Sequence, residues 1–287
     1  MKKIIILYSG GLDSFILKHW ASKMYPDFEI ECIYYDYGNP ICETEKMYLP
    51  DFVTIKNIEW FNNSTDQLIA KIGDEHKGRI YIAGRNLVFS ILAGCQELPK
   101  YIFMGGLYEE CHPSATDKNN IFLNGTSELL NYVLSPFLKS KLTVRAPFVE
   151  EKLTKIDVMQ WALDNGISLD QMANTISCFN KNDLNIPCGE CHSCIRSFSF
   201  FQHFDYELKF IKHPFMDTAF GMKYLLNSIL ALENSNYDKY LLYDVDYEAI
   251  YNFLKLNTHR GSFEWVSYHG IMPKLEKIIH TKSIIKL

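Results

Sequence analysis

The amino-acid sequence predicts an α/β fold in which a parallel sheet carries helices on both faces. Short apolar runs alternate with amphipathic stretches over the first half of the chain, as expected when strands and covering helices follow one another. The chain has 287 residues, of which 47% are hydrophobic. This length is sufficient for one main α/β domain with an appendage.

The elements can be assigned in order along the chain. The predicted strands are Ile4–Tyr8, Phe28–Tyr35, Phe52–Ile58, Tyr101–Met104 and Leu142–Arg145. The predicted helices of the same region are Leu12–Met24, Glu43–Leu49, Thr65–Ile72, Leu87–Gln96, Ser127–Ser135 and Thr154–Asn165. The last helix has the clearest boundaries, because Thr154 suits its N-cap, Asp157 follows three residues on, and Gly166 ends it.

The composition changes beyond about residue 205, where aromatic residues and leucine mix with charges of both signs. Two further helices are predicted there, Thr218–Leu232 and Tyr247–Leu256. We therefore predict a main domain over residues 1–204, which includes a cysteine-rich segment at 178–194. A mostly helical C-terminal extension is predicted over residues 205–287.

Charge and hydropathy exclude several classes of function. The net charge is −5, so no direct nucleic-acid partner is expected. The sequence contains no apolar run of about 18 residues, which argues against a membrane span. The apolar start at Ile4–Leu7 is too short for a signal peptide and lacks a cleavage site, so it is interpreted as a buried strand. A cytoplasmic location is expected.

A glycine turn joins the first strand to the first helix, with the sequence Ser9-Gly10-Gly11-Leu12-Asp13-Ser14. Two glycines allow the backbone to turn tightly and point N–H groups at an anion. The positive end of the following helix lies at the same place. Ser9 and Ser14 add hydroxyl donors, and Asp13 can hold Mg²⁺ or cap the helix. A plain strand–helix turn is the alternative, and the lack of a following Lys-Ser/Thr excludes a Walker loop.

Four of the eight cysteines form a cluster, Cys178, Cys188, Cys191 and Cys194. This spacing matches a closed, structural Zn²⁺ site with four thiolates. An iron–sulfur cluster also takes four thiolates and stays open, whereas a disulfide framework does not suit a cytoplasmic protein. The scattered cysteines are interpreted as small apolar fillers.

The glycine turn resembles the SGGxDS loop of the PP-loop ATP pyrophosphatases. Further motifs follow in order: Tyr35-Asp36-Tyr37-Gly38, Gly84-Arg85-Asn86, Gly105-Gly106, Ala146-Pro147, Thr154-Lys155-x-Asp157 and the cysteine set ending in Arg196. In this order they resemble the 7-cyano-7-deazaguanine synthase (QueC) family, over roughly residues 3–200.

The resemblance implies a Rossmann-like fold of the adenine-nucleotide alpha-hydrolase type, an ATP-dependent carbon–nitrogen ligase, ATP with Mg²⁺, one Zn²⁺, and a homodimer. It implies 7-carboxy-7-deazaguanine as substrate and ammonia as the amine. The residues expected to bind ATP are Ser9, Gly10, Gly11, Asp13, Ser14, Asp36 and Arg85. The residues expected to act in catalysis are Asp13, Ser14, Lys155 and Asp117.

Each of these assignments has a structural alternative. Arg85 is also suited to a surface ion pair, Asp36, beside Tyr37, to a turn cap, and Lys155 to a solvated position on its helix. Where the family has YPDCR, this chain has Ala115-Thr116-Asp117-Lys118-Asn119. Asp117 is expected to keep the carboxylate that binds the deazapurine edge, but the Tyr, Cys and Arg are gone.

These departures leave two enzyme functions open. The first is the family reaction, which converts the acid through the amide to the nitrile for queuosine biosynthesis. The second is a divergent ligase that passes the activated acid to another amine, such as a protein partner bound through the C-terminal extension. Members of this family also occur among antiphage defence genes. The intact loop argues against a third possibility, a non-catalytic nucleotide-binding scaffold.

Overall fold

The structure, a computed structural model, describes residues 2–58, 61, 84–111, 117–175, 178 and 186–214. The chain divides into two compact units, Met1–Ile176 and Ser177–Leu287. The predicted helices Thr65–Ile72, Thr218–Leu232 and Tyr247–Leu256 lie outside the described residues. They stay predictions, as does the helical extension from residue 205.

The first unit is built on a five-stranded parallel sheet. Its strands are β1 (Lys2–Leu7), β2 (Phe28–Asp36), β3 (Val53–Asn57), β4 (Tyr101–Met104) and β5 (Thr143–Arg145). They lie in the order β3-β2-β1-β4-β5, and every neighbouring pair is parallel. With its helices the sheet is Rossmann-like, and the predicted fold class is confirmed.

Within its described residues, the α-helices of this unit are α1 (Leu12–Met24), α2 (Pro40–Lys46), α3 (Arg85–Glu97), α4 (Asn120–Leu134), α5 (Pro147–Glu150), α6 (Lys155–Asp164) and α7 (Leu169–Ala173). α1 has the predicted bounds. The capping box of α6 is confirmed, because the Thr154 hydroxyl accepts from Asp157 N at 3.2 Å and Thr154 N donates to Asp157 Oδ2 at 2.9 Å. α4 begins well before its predicted start, since the Asn119 side chain caps it by accepting from Phe122 N at 3.0 Å.

β1 is the central strand and the centre of the core. Ile4, Ile5 and Ile6 have no exposed surface, as expected for a parallel strand covered on both faces. On α1, the Trp20 ring lies 6.3 Å from that of Phe103 on β4 and 6.0 Å from that of Phe148. The contact with Phe103 packs α1 against the sheet and helps to fix the turn that precedes the helix.

The strand order creates a crevice beyond the carboxyl ends of β1 and β4. From β1 the chain passes to β2 on one side, and β4 lies on the other side, paired in register with Leu7 opposite Met104. In open α/β sheets, ligands bind at this type of switch point. The turn at Ser9–Ser14 follows β1, and Gly105-Gly106 follows β4.

Side chains of α4 hold the edge strand β5 in place. The buried Ser127 hydroxyl accepts from Val144 N at 2.8 Å. The Asn131 side chain accepts from Leu142 N at 2.9 Å and donates to Leu142 O at 2.7 Å. These bonds satisfy backbone groups next to the edge of the sheet, which helps to place the following Ala146 at the crevice.

The described part of the second unit centres on α8 (His192–His203). A backbone pairing lies beside its start, with Ile211 N donating to Pro187 O at 3.0 Å and Lys212 N to Cys188 O at 3.3 Å. Within the residues described for the whole chain, no helix has both the length and the apolar character needed to cross a bilayer.

Candidate active site and metal centre

The turn between β1 and α1 has the backbone geometry expected of an anion-binding loop. Gly10 has a φ of 77°, a left-handed conformation that glycine adopts without strain. Gly11 is the N-cap of α1 and has no side chain to accept from the N–H groups of the first helical turn. These N–H groups and the helix dipole together favour a bound anion.

The Ser14 side chain braces this loop. Its hydroxyl donates to Gly11 O at 2.9 Å and accepts from Ser9 N at 3.3 Å. Ser14 is 2% exposed, so its hydroxyl links the two ends of the turn in a buried position. Its predicted contact with pyrophosphate stays a prediction.

An open cleft lies at the switch point and brings together four of the predicted site residues, Ser9, Asp13, Ser14 and Arg85. Asn86 and Lys118 also line it. Gly105 forms its floor, where an added Cβ would lie 3.2 Å from Ser14 N and 3.3 Å from Asp13 Cβ. The close approach of β4 to the start of α1 therefore depends on glycine at this position.

Asp13 belongs to a chain of charged groups that leads away from the cleft. The Lys155 ammonium donates to Asp13 Oδ1, and Lys155 N donates to Glu109 Oε1 at 3.2 Å. Burial raises the pKa of Glu109 from its ordinary value of 4.5 to about 7, although the Lys155 N–H and charge lower it. The structure thus pairs Lys155 with Asp13. The expected role of Lys155 in catalysis stays a prediction.

Two side-chain pairs involve residues that line the cleft, Asn86 and Lys118. Asn86 Nδ2 donates to Asp117 Oδ2 at 2.8 Å, which brings the Gly84-Arg85-Asn86 motif together with the predicted substrate-binding carboxylate. Lys118 donates to Glu110 Oε2 at 2.7 Å. The sequence interpretation did not single out Lys118, because one lysine in a loop gives no signal of the cleft it reaches.

Arg85 and Asp36 differ in their placement. Arg85 lines the cleft and lies beside the Tyr37 hydroxyl, and burial raises the pKa of Tyr37 to about 12 despite this neighbouring charge. Asp36 is 4% exposed, and its carboxylate accepts from Gly38 N at 3.0 Å and pairs with Lys46 at 2.5 Å. These bonds fit a turn cap, and the predicted ATP contact of Asp36 stays a prediction.

The cysteine cluster of the second unit has the geometry of a metal centre. The sulfurs of Cys178, Cys188, Cys191 and Cys194 all lie within 4.8 Å of one another. The Cys188 and Cys194 sulfurs are 3.8 Å apart. Tetrahedral Zn²⁺ with bonds of about 2.3 Å requires sulfur separations of about 3.8 Å. The Cys188–Cys194 separation has this value, while the Cys191 and Cys194 sulfurs are closer, at 3.4 Å. The four thiols are thus grouped closely enough to hold one metal ion.

The backbone around the cluster is arranged to support thiolates. Cys188 N donates to Cys178 Sγ at 3.2 Å, and Glu190 N donates to Cys188 Sγ at 3.2 Å. Gly189, between them, has a φ of 77°. A Cβ at this residue would lie 1.7 Å from Lys212 O, so the knuckle depends on glycine for space as well as for conformation.

Comparisons with known proteins identify the family of the chain. The family model described as "Queuosine biosynthesis protein QueC" matches residues 3–205. The chain is 28% identical over 218 residues to the 7-cyano-7-deazaguanine synthase of Buchnera aphidicola subsp. Schizaphis graminum, covering 68% of this chain and 88% of that protein. It is 27% identical over 240 residues to the synthase of Thermoplasma acidophilum, covering 74% and 94%.

Among solved structures, one match is the predicted subunit of a tRNA methyltransferase from Methanocaldococcus jannaschii. It is 13% identical, covers 57% of this chain and 75% of that one, and has a TM-score of 0.38. A likeness this weak supports no statement about function.

The raised pKa of Glu109 predicts a pH-dependent stability difference. Between pH 4.5 and 7 the folded carboxyl stays protonated while the unfolded one ionises, so this group makes the protein less stable as pH rises. In Glu109→Gln this contribution is absent. Urea titrations give the free energy of unfolding of each protein. We expect the wild-type value minus the variant value to fall by on the order of 1 to 3 kcal/mol as pH rises over this range, allowing for partial exposure. A difference that stays flat over this range would contradict the raised pKa of Glu109.

The metal centre predicts that Gly189→Ala loses its metal. The added methyl group must displace the Lys212 backbone and strain a left-handed φ, which disturbs the N–H groups that face the sulfurs. Metal per chain, measured by atomic emission on purified protein, should fall below one equivalent. Gly166→Ala is the matched control, because its φ is also positive, at 81°, but nothing lies within 4 Å of the added Cβ. Full metal content in Gly189→Ala would show that the knuckle tolerates the displacement.

Proposed function

Because the chain belongs to the QueC family, we propose that it is an ATP-dependent ligase that adenylates 7-carboxy-7-deazaguanine and converts it through the amide to 7-cyano-7-deazaguanine. The family match covers residues 3–205, and the matched relatives bear the name of this synthase. The observation that carries the proposal is the cleft, which residues of the Ser9–Ser14 turn line together with Asn86 and Lys118. Asp117 is held beside this cleft by a hydrogen bond from Asn86 at 2.8 Å.

The proposed reaction activates an oxygen that does not leave unaided. A carboxylate oxygen attacks the α-phosphorus of ATP and pyrophosphate departs. Ammonia then attacks the acyl carbon, and AMP leaves with that oxygen to give the amide. The amide oxygen attacks a second ATP, pyrophosphate departs again, and loss of two protons and AMP gives the nitrile. Both oxygens of the acid therefore leave on AMP.

The Ser9–Ser14 turn and Arg85 suit the phosphates of ATP. The first-turn N–H groups of α1 and the turn at Gly10 would bind the departing pyrophosphate. Arg85, on the same cleft, would contact the remaining phosphate charge. Asp13 offers the carboxylate oxygen that Mg²⁺ prefers alongside phosphate oxygens, and the ion would neutralise charge on the leaving group. Lys155 would hold Asp13 in position.

The Asn86–Asp117 pair suits the deazapurine. A carboxylate accepts hydrogen bonds from ring N–H and amino groups, and Asp117 is held for this purpose by Asn86 at 2.8 Å. The cluster of four cysteines would hold Zn²⁺ with no open position, so its contribution is to folding rather than to the reaction. Metal analysis separates zinc from an iron–sulfur cluster.

We also propose that the protein is a homodimer with α4 at the interface. Exposed apolar residues lie along this helix and on the turn after it. Among them are Ile121 (85% exposed), Tyr132 (83%) and Phe137 (66%). Residues 120–137 contain one charged residue, Glu128, so a second copy meets little like charge there. An apolar patch of this kind is typical of an interaction surface. Sedimentation of the purified protein as a monomer would contradict the proposal.

A second candidate function is transfer of the activated acid to another amine, such as a protein partner, with a role in antiphage defence. It is favoured by the segment after residue 205, which the family model does not match, and by the replaced loop around Asp117. With acid and ATP, nitrile formation on adding ammonia supports the synthase. Turnover that requires an added protein supports the second function.

Asp13→Asn tests the proposed adenylation. The amide keeps an acceptor for Lys155 but loses the charge that would hold Mg²⁺ beside the phosphates. We expect AMP release from acid and ATP to fall by about 100-fold or more, with an unchanged circular dichroism spectrum. Asp27→Asn, at an exposed turn, is the control and should keep the wild-type rate. A variant at Asp13 that keeps full activity would remove this residue from the mechanism.

A further inference from the structure

Lys118 is a cation of the cleft to which neither the family motifs nor the comparisons give a role. It follows Asp117 on the turn before α4, and 30% of its side chain is exposed, on the surface that lines the cleft. The Cys111 sulfur lies 3.5 Å from Lys118 O and 3.6 Å from Leu107 O. The backbone at Lys118 is thereby tied to the segment that follows Gly106.

The ammonium of Lys118 keeps hydrogen-bonding capacity for a ligand. It has three N–H donors, and Glu110 Oε2 takes one at 2.7 Å. Burial alone would lower the pKa of Lys118, but the attraction of Glu110, with smaller contributions from Asp13 and Asp117, raises it above its ordinary value. The group is therefore a cation throughout the neutral pH range.

Lys118 comes from a different segment of the chain than the groups suited to ATP, although it lines the same cleft. It is next in sequence to Asp117, and its stem passes 3.8 Å from the place of a Cβ on Gly106. Under the proposed function, a carboxylated substrate beside Asp117 would bring a second anion to a site that also binds the triphosphate of ATP. A cation beside Asp117 would offset the repulsion between the two anions.

We propose that Lys118 binds the carboxylate of the acid substrate and directs one of its oxygens at the α-phosphorus of ATP. This inference rests on the function proposed above and names the residue that recognises the acid. Lys118 transfers no proton and keeps its charge throughout. The carboxylate oxygen forms its bond to phosphorus while the bond to pyrophosphate breaks.

This role predicts that the two adenylation steps differ in their need for Lys118. The first substrate is an anion and gains from a charged partner. The second substrate, the amide, is neutral and offers no negative charge to the ammonium. A residue that served the phosphates of ATP would affect both steps equally, because both steps use ATP.

The experiment compares full-length wild type with Lys118→Met, using either the deazaguanine acid or the corresponding amide with ATP and Mg²⁺, and measures AMP release. For the acid, kcat/KM should fall by about 10- to 100-fold, mainly through a higher KM. The KM for ATP and the amide-dependent rate should stay within about threefold of wild type. Lys118→Arg, which keeps the charge, should recover part of the loss, and Lys139→Met at an exposed position should match wild type.

Each other outcome contradicts the inference in a recognisable way. Parallel losses with acid and amide would assign Lys118 to the nucleotide, and an unchanged KM for the acid would leave it no role in recognition. If the methionine variant does not fold, Lys118→Gln carries the same comparison, because its amide keeps a donor for Glu110. A wild-type protein that releases AMP with neither compound would refute the proposed function itself, and the inference would fall with it.

Discussion

The site depends on the close approach of Gly105 to the first turn of α1. A Cβ at this position would lie 3.2 Å from Ser14 N, closer than ordinary van der Waals contact, so glycine lets β4 end directly beside the Ser9–Ser14 turn. Glu110, which follows in the sequence, pairs with Lys118 from the turn before α4. The strand order determines where the crevice lies.

Lysine–carboxylate pairs recur in this unit. Lys155 contacts Asp13, Lys118 pairs with Glu110 at 2.7 Å and Lys46 with Asp36 at 2.5 Å. Lys118 lines the cleft, and a partly buried ammonium without a partner is costly, so Glu110 allows a positive charge to be kept there. Under the proposed function, the substrate would add a second partner to this cation, a form of preorganisation that favours charge development in a reaction.

The sequence predicted those features that depend on local chemistry. The bounds of α1, the capping box at Thr154 and the alternation of parallel strands with helices all follow from local patterns, and the spacing of the four cysteines predicted their convergence. The predicted start of α4 was wrong. Ile121 and Tyr132 are exposed apolar residues, and they obscure the helical periodicity that locates a buried face. Lys118 and Glu109 were missed for a different reason. Their roles arise from contacts with residues distant in sequence, such as Lys155, which no local pattern records.

In the proposed reaction, both oxygens of the acid are carried away on AMP. The direct measurement supplies the protein with the deazaguanine acid labelled with ¹⁸O in both carboxylate positions, ATP and ammonia, and records the mass spectra of the phosphate products. The proposed reaction gives one ¹⁸O atom in each AMP formed and none in pyrophosphate. Label in inorganic phosphate together with ADP would show attack at the γ-phosphorus instead, and unlabelled AMP would show that ATP is cleaved without activation of the acid.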